Sequence, residues 1–102
     1  MNLEPKLFGS WSTIVDGIPM VFKFNEDASF QLEITLPPFN AKARLDGQWR
    51  LDAPNQAYLY GFKTKNLLLK RMKKESPLPL SDLGAKTVTI HFQGKSALLT
   101  KL

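Results

Sequence analysis

The sequence AKARLDGQWRL at positions 41–51 alternates between apolar and polar side chains along its whole length. A two-residue period is typical of a β-strand with one buried face. The Asp46-Gly47 pair in the middle is a common hairpin signal, but a two-residue turn there would pair Leu45 with Gln48 and mix apolar and polar side chains on one face. We therefore predict one continuous strand over 41–51, with Gly47 as a bend point or as a gap covered by a neighbouring aromatic ring.

Other segments are predicted as strands because they combine apolar alternation with flanking turn residues. The run 67–72 fits a strand or a short helix, and its strand neighbours favour a strand. Seven or eight strands joined by short turns predict an all-β, antiparallel up-and-down meander that closes into a small barrel, with a sandwich as the alternative. Besides 41–51 and 67–72, the predicted strands are 7–15, 18–24, 30–36, 56–62, 87–92 and 96–102.

The composition bounds the class of protein. A chain of 102 residues with 43% hydrophobic residues suits one globular domain over 1–102, with a loose lead-in at 1–6. The absence of cysteine excludes disulfides, thiolate metal sites and thiol nucleophiles. No apolar run has the length of a membrane-spanning helix. No signal peptide is visible, which slightly favours a cytoplasmic location over a secreted protein whose signal has been removed.

The Gly-Ser-Trp sequence at 9–11 resembles the Gly-x-Trp signature that lipocalins carry on their first strand. The spacing of 22–30, 47–52 and 88–92 resembles small bacterial lipocalin-like domains, and the resemblance spans nearly the whole chain. It implies an eight-stranded barrel that binds a small apolar ligand, with Trp11 closing one end.

This chain departs from the lipocalin pattern in two ways. It is shorter than a full lipocalin, which leaves less room for a ligand cavity. The resemblance also implies an arginine from the last strands that stacks on Trp11, but no arginine follows Arg71. Lys101 is the nearest substitute.

Aromatic side chains on the predicted strands are the candidate lining of a pocket for an apolar molecule. The alternative is that the rings simply fill the barrel, because a small barrel has little spare volume. Tyr58 and Tyr60 are the most suggestive, since a buried phenol needs a hydrogen-bond partner that a ligand could supply. The predicted ligand site consists of Trp11, Phe22, Phe24, Trp49, Tyr58 and Tyr60.

Charge is unevenly spread along the chain. Residues 1–62 carry a net charge of −2 and residues 63–102 carry +7. The basic stretch at 63–74 suits an acidic protein, an anionic membrane surface or nucleic acid, or is simply a solvated face. Nucleic acid is the less favoured partner, because only Phe62 offers a ring beside the stretch. The predicted anion or partner surface consists of Lys63, Lys65, Lys70, Arg71, Lys73 and Lys74.

Two further segments bear on partners. Apolar residues among the cations of 67–72 are typical of protein contact, and an exposed strand there would form the edge of a homodimer. The Pro-Leu-Pro-Leu sequence at 77–80 is interpreted as a stiff connector that stops edge pairing, with a polyproline-type ligand as the alternative.

No catalytic residue, metal site or cofactor is predicted. His91 is the only histidine, it falls on the outward face of its strand, and a general base needs a positioned partner. The carboxylates do not cluster at ligand spacing, and the glycines form no phosphate loop. The leading hypothesis is therefore a non-enzymatic lipocalin-like binding or accessory domain, which holds a small apolar ligand or contacts a protein partner. The alternatives are an anion- or nucleic-acid-binding module that uses 63–74, and a structural or assembly domain with a filled core.

Overall fold

The computed structural model describes residues 5–53, 55–66, 69–71, 75–92 and 94–102. It is an antiparallel meander in which each strand pairs with the next and the last pairs with the first, so that the sheet closes into a barrel. The predicted all-β barrel is confirmed. The strands are β1 Gly9–Val15, β2 Ile18–Phe24, β3 Ser29–Leu36, β4 Ala41–Ala53, β5 Gln56–Thr64, β6 Ser76–Ser81, β7 Thr87–Phe92 and β8 Lys95–Lys101. Short 3-10 turns occupy Pro5–Leu7 and Leu69–Arg71.

The central strand runs through the Asp46-Gly47 pair without turning, as predicted. Its register with β3 is unbroken from Leu36 opposite Ala41 to Ser29 opposite Gln48. Gly47 faces the interior, and a Cβ built there would lie 2.8 Å from Cδ1 of Phe62 and 2.9 Å from the carbonyl oxygen of Tyr60. The ring of Phe62 thus covers the gap that glycine leaves in the sheet.

The sixth strand is Ser76–Ser81, not the predicted 67–72. Leu69–Arg71 instead forms a 3-10 turn, and Leu69 is buried in the core. The exposed strand edge that we predicted for a homodimer is therefore absent at 69–71. Residues 67, 68 and 72 lie outside the described part of the chain. The prediction that 77–80 stops pairing is also wrong, because this segment pairs with β5.

β6 accommodates its two prolines because the backbone nitrogens of successive residues point alternately toward β5 and toward β7. Leu80 N donates to the Asn55 carbonyl at the β5 side. Successive residues of a strand point their backbone nitrogens to opposite sides, so Pro77 and Pro79 direct theirs toward β7. Among the described residues, β6 pairs with β7 only from Leu80 opposite Ile90 onward. No ladder donor is lost toward β5.

A β-bulge at Gly61 decides which side chains of β5 face the core. Asp46 pairs with Lys63 and Gln48 with Tyr60, so that Gly61 and Phe62 lie opposite the single residue Gly47. Gly61 has a φ of 65°, a conformation that glycine adopts without steric cost. Because the bulge reverses the alternation, the buried residues before it are Ala57 and Leu59, whereas Phe62 packs against the core after it.

Tyr58 and Tyr60 consequently lie on the outer face of the barrel. The prediction that placed both tyrosines in the aromatic interior is wrong. The error arose because β5 contains one extra residue, so that inward and outward positions exchange between Tyr60 and Phe62. The same shift places Lys63 on the outer face together with the tyrosines.

Candidate binding sites

One end of the barrel, which we call the closed end, is filled by aromatic rings. Trp11, Phe24 and Trp49 have no exposed surface, and Phe24 meets Trp49 with ring centroids 5.2 Å apart. The indole Nε1 of Trp11 donates to the Leu7 carbonyl at 2.9 Å, and that of Trp49 donates to the Asn25 carbonyl at 3.1 Å. Each buried ring nitrogen is therefore satisfied by the backbone of a segment that crosses this end.

Of the predicted ligand residues in the interior, Trp11, Phe24 and Trp49 belong to this aromatic cluster, and Phe22 lies in the core next to it. Phe22 is buried and contacts Phe30 at a centroid distance of 6.1 Å, while Phe30 also contacts Phe24 at 5.3 Å. Phe22, Phe24, Trp11 and Trp49 thus belong to one packed core. Their role toward a ligand stays a prediction, and the space around the closed end is occupied by protein side chains.

Lys101 takes the place that the lipocalin resemblance gives to a stacking arginine. Its Nζ lies 5.3 Å from the centroid of the Trp11 ring, and its half-exposed stem also lies against Gly9. A cation over the face of an indole is attracted by the electron-rich ring, and the methylene stem covers apolar surface. The last strand therefore helps to close this end of the barrel.

We expect Lys101→Ala to lower the free energy of unfolding by about 1 kcal/mol, because both the cation and the stem are lost from Trp11. Lys101→Arg should retain the wild-type value. Urea denaturation followed by tryptophan fluorescence measures both, with the exposed Lys86→Ala as a matched control. Equal losses in Lys101→Ala and Lys86→Ala would show that the contact with Trp11 adds nothing.

The opposite end of the barrel retains exposed apolar surface on inward-facing side chains, and we call it the open end. It is formed where β1 meets β2 and where β3 meets β4. Four half-buried apolar residues pack against the top of the core here without being enclosed by it: Val15, Ile18, Met20 and Leu36. An ion pair between Lys95 and Asp16 links the β7–β8 and β1–β2 turns at the same end.

A basic groove of about 670 Å³ lies where β4 and the end of β5 diverge beyond Leu45 opposite Thr64. The Thr64 hydroxyl donates to the Arg44 carbonyl at 2.7 Å, which ties the end of β5 to β4 beside the groove. Four cations and one carboxylate line the groove, so its charge is positive. The charged lining consists of Lys42, Arg44, Lys63, Lys65 and Asp46.

The structure brings together only part of the predicted basic surface. Lys63 and Lys65 line the groove, and Lys70 is exposed on the 3-10 turn. Lys73 and Lys74, together with the side chain of Arg71, lie outside the described part of the chain.

Lys42 and Arg44 were missed by sequence reasoning, although both fall on the outward positions of the predicted central strand. Their sequence distance from 63–74 concealed them, because only the register of β4 with β5 brings the two segments side by side. The available signal was that β4, the strand next to β5, carries cations at its outward positions, where they can lie beside outward residues of β5.

Beside the groove, Tyr58 and Tyr60 form a half-exposed aromatic pair on the outer face of β5, with ring centroids 6.4 Å apart. The guanidinium carbon of Arg50 lies 4.5 Å from the centroid of Tyr58 and 5.2 Å from that of Tyr60. Arg50 Nε donates to Asp52 at 2.7 Å, and this bond raises the pKa of Arg50. Partial burial, followed by a hydrogen bond with Glu75, raises the pKa of Tyr58.

His91 has a polar neighbour, because its Nε2 lies 2.9 Å from Oγ of Ser81. The histidine is exposed on the outer face, as predicted. No described carboxylate is hydrogen-bonded to this histidine, so the contact lacks the third group that orients the base in a serine hydrolase.

Among the residues that the structure describes, no cluster of three or more histidine, cysteine or acidic side chains could hold a metal ion. None of the described helices is long and apolar enough to cross a membrane.

Comparison with solved structures confirms the lipocalin-like fold. The chain superposes on a lipocalin-like protein from Bacteroides uniformis with a TM-score of 0.71 and 13% sequence identity, over 95% of this chain and 99% of the other. It also superposes on a protein from Bacteroides eggerthii with a TM-score of 0.66 and 12% identity, over 94% and 99% of the two chains. No protein-family description and no curated protein sequence matches the chain.

Proposed function

We propose that this lipocalin-like barrel is a non-enzymatic binding domain that takes a small apolar ligand at its open end. The observation that carries the proposal is the contrast between the two ends of one core. At the closed end, Trp11 and Trp49 have no exposed surface, whereas at the open end Met20 and Leu36 face inward and stay half exposed. Inward-facing apolar surface that is incompletely covered favours an apolar ligand.

The similarity in fold supports the same interpretation. The superposition covers 95% of this chain and 99% of the solved lipocalin-like protein, so the two folds match over almost their whole length. The filled closed end limits a ligand to the part of the barrel near the open end, because a small barrel offers little volume beyond its packed side chains. A ligand of modest size, rather than a long chain threaded through the interior, therefore fits this barrel.

The test uses N-phenyl-1-naphthylamine, a neutral fluorescent probe that gains intensity in apolar surroundings. We expect the wild type to bind it, and Met20→Lys to weaken binding about tenfold or more, because a charge at the open end must be desolvated when the probe enters. A neutral probe has no charge to be drawn to the basic groove, which separates the two surfaces.

The matched control is Leu98→Lys, which adds the same charge at an outer-face position that is 58% exposed. Circular dichroism checks that both variants keep the strand signal. If the wild type does not enhance the fluorescence of the probe, or if Met20→Lys binds it as tightly as Leu98→Lys does, the open end is not a ligand site.

A further inference from the structure

We propose that the outer face of β4 and β5 binds single-stranded nucleic acid, through base stacking on the aromatic pair and phosphate contacts in the basic groove. This surface lies on the outside of the barrel wall and is distinct from the apolar open end. The side chains that carry the proposal are Tyr58, Tyr60 and Arg50 for stacking, and Lys42, Arg44, Lys63 and Lys65 for phosphates.

The bulge at Gly61 is the feature that assembles this surface. In an unbroken strand, Tyr60 and Lys63 would point to opposite faces, because they are an odd number of residues apart. The extra residue places both on the outer face, where Tyr60 lies opposite Gln48 and Lys63 lies opposite Asp46. An aromatic platform and a cluster of cations therefore follow one another along the same two strands.

The aromatic pair is ordered before any ligand arrives. The two rings are tilted by only 31° to each other, and the guanidinium carbon of Arg50 lies over both rings while Nε of Arg50 donates to Asp52. Unpaired bases stack on tyrosine rings and on guanidinium planes, and a platform that is already fixed loses little conformational entropy when it binds.

The groove supplies the cations for the backbone of the strand. Lys42 pairs with Glu33 at 3.0 Å and Arg44 with Asp46 at 2.9 Å, and all of these side chains are exposed. Within the described residues, Lys63 and Lys65 form no ion pair. These two lysines are thus available for phosphate oxygens without breaking an existing bond, and counterion release from the nucleic acid would drive the contact.

Single-stranded nucleic acid suits this combination better than the other anionic ligands do. A duplex presents phosphates but keeps its bases stacked inside, so the tyrosines would have no partner. An anionic membrane requires apolar side chains inserted beside the cations. On β4 and β5, the half-exposed side chains beside the groove are instead two tyrosines, which end in hydroxyls, and Arg50, whose guanidinium lies over their rings.

The experiment measures fluorescence anisotropy of a labelled thymidine oligonucleotide of about twelve nucleotides with the full chain, at several salt concentrations. We expect binding that weakens as salt rises. Lys63→Glu with Lys65→Glu should weaken it about tenfold or more and reduce the salt slope by about 2, one for each lost phosphate contact. Tyr58→Leu with Tyr60→Leu should weaken it about tenfold while leaving the salt slope unchanged.

The matched control is Lys23→Glu with Lys86→Glu, which changes the net charge equally at exposed positions on β2 and in the β6–β7 turn. We expect it to weaken binding less than threefold, which corresponds to less than about 0.65 kcal/mol. Because the tyrosine variant could lose its fold, amide shifts of the wild-type protein with the same oligonucleotide are measured as well. They should concentrate at 42–50 and 58–65.

Several results would overturn the proposal. They are an absence of binding at low salt, an equal loss in the control, full binding by a folded tyrosine variant, and shifts that concentrate elsewhere. Equally effective competition by duplex DNA, by inorganic polyphosphate or by vesicles of anionic phospholipid would also overturn it, because none of these needs the stacking platform.

Discussion

Trp11→Ala is expected to lower the free energy of unfolding by about 3–5 kcal/mol, which is a large part of the stability of a domain of this size. The ring has no exposed surface, its nitrogen donates to the Leu7 carbonyl, and Lys101 covers it from the last strand. Truncation therefore leaves a cavity and removes the contacts that join the segment before β1 to the end of β8. Urea denaturation followed by circular dichroism measures the loss.

Trp11→Phe is the graded control, because it keeps a ring in the core and removes the donor to Leu7 and part of the ring volume. We expect a smaller loss of about 1–3 kcal/mol. If Trp11→Ala costs less than about 1 kcal/mol, the closed end is not the tightly packed cluster described above.

Gly47→Ala should destabilise the barrel by about 2–3 kcal/mol, although alanine is intrinsically favoured over glycine within a strand. The added methyl would lie 2.8 Å from the Phe62 ring and 2.9 Å from the Tyr60 carbonyl oxygen. The carbonyl belongs to the backbone beside the bulge and cannot move without disturbing the pairing of β4 with β5. The methyl therefore costs more than the gain in intrinsic preference.

Two further variants separate this clash from a general intolerance of substitution. Gly84→Ala places its methyl 3.6 Å from the nearest atom, an ordinary contact, and should stay within about 0.5 kcal/mol of the wild type. Gly47→Ala combined with Phe62→Leu should cost less than the sum of the two single changes, because the flexible leucine side chain yields to the new methyl. Additive costs would show that Phe62 does not cover Gly47.

The barrel could be predicted because its central strand carries an unbroken period. Residues 41–51 alternate over eleven positions, which fixed the inward set Ala43, Leu45 and Trp49 despite the turn signal at Asp46-Gly47. The Gly-x-Trp sequence at 9–11 then indicated which end of the barrel is closed. In both cases the information lies in neighbouring residues of one strand, which sequence patterns report directly.

The errors arose where one residue changes a pattern. The bulge at Gly61 reverses the alternation of β5 and moved Tyr58 and Tyr60 from the predicted interior to the outer face. An isolated glycine within a strand is a bulge signal, and it was the available warning. The prolines of β6 argued against a strand, but alternation directs both of their nitrogens away from β5.

The basic groove could not be predicted for a different reason. Lys42 and Arg44 meet Lys63 and Lys65 only through the register between β4 and β5, and the bulge itself sets that register. A stretch of like charges in sequence therefore identified half of the groove. The other half depends on strand pairing, which periodicity does not report.

The central claim is that a ligand enters at the open end while the closed end stays filled, and a two-dimensional ¹H–¹⁵N NMR titration with N-phenyl-1-naphthylamine tests it most directly. The chain has two tryptophans, so two indole signals report on the closed end. We predict that the amide signals of Val15, Ile18, Met20 and Leu36 shift on addition of the probe, while both indole signals stay in place. The largest shifts at the two indoles, with the open-end amides unmoved, would contradict the account.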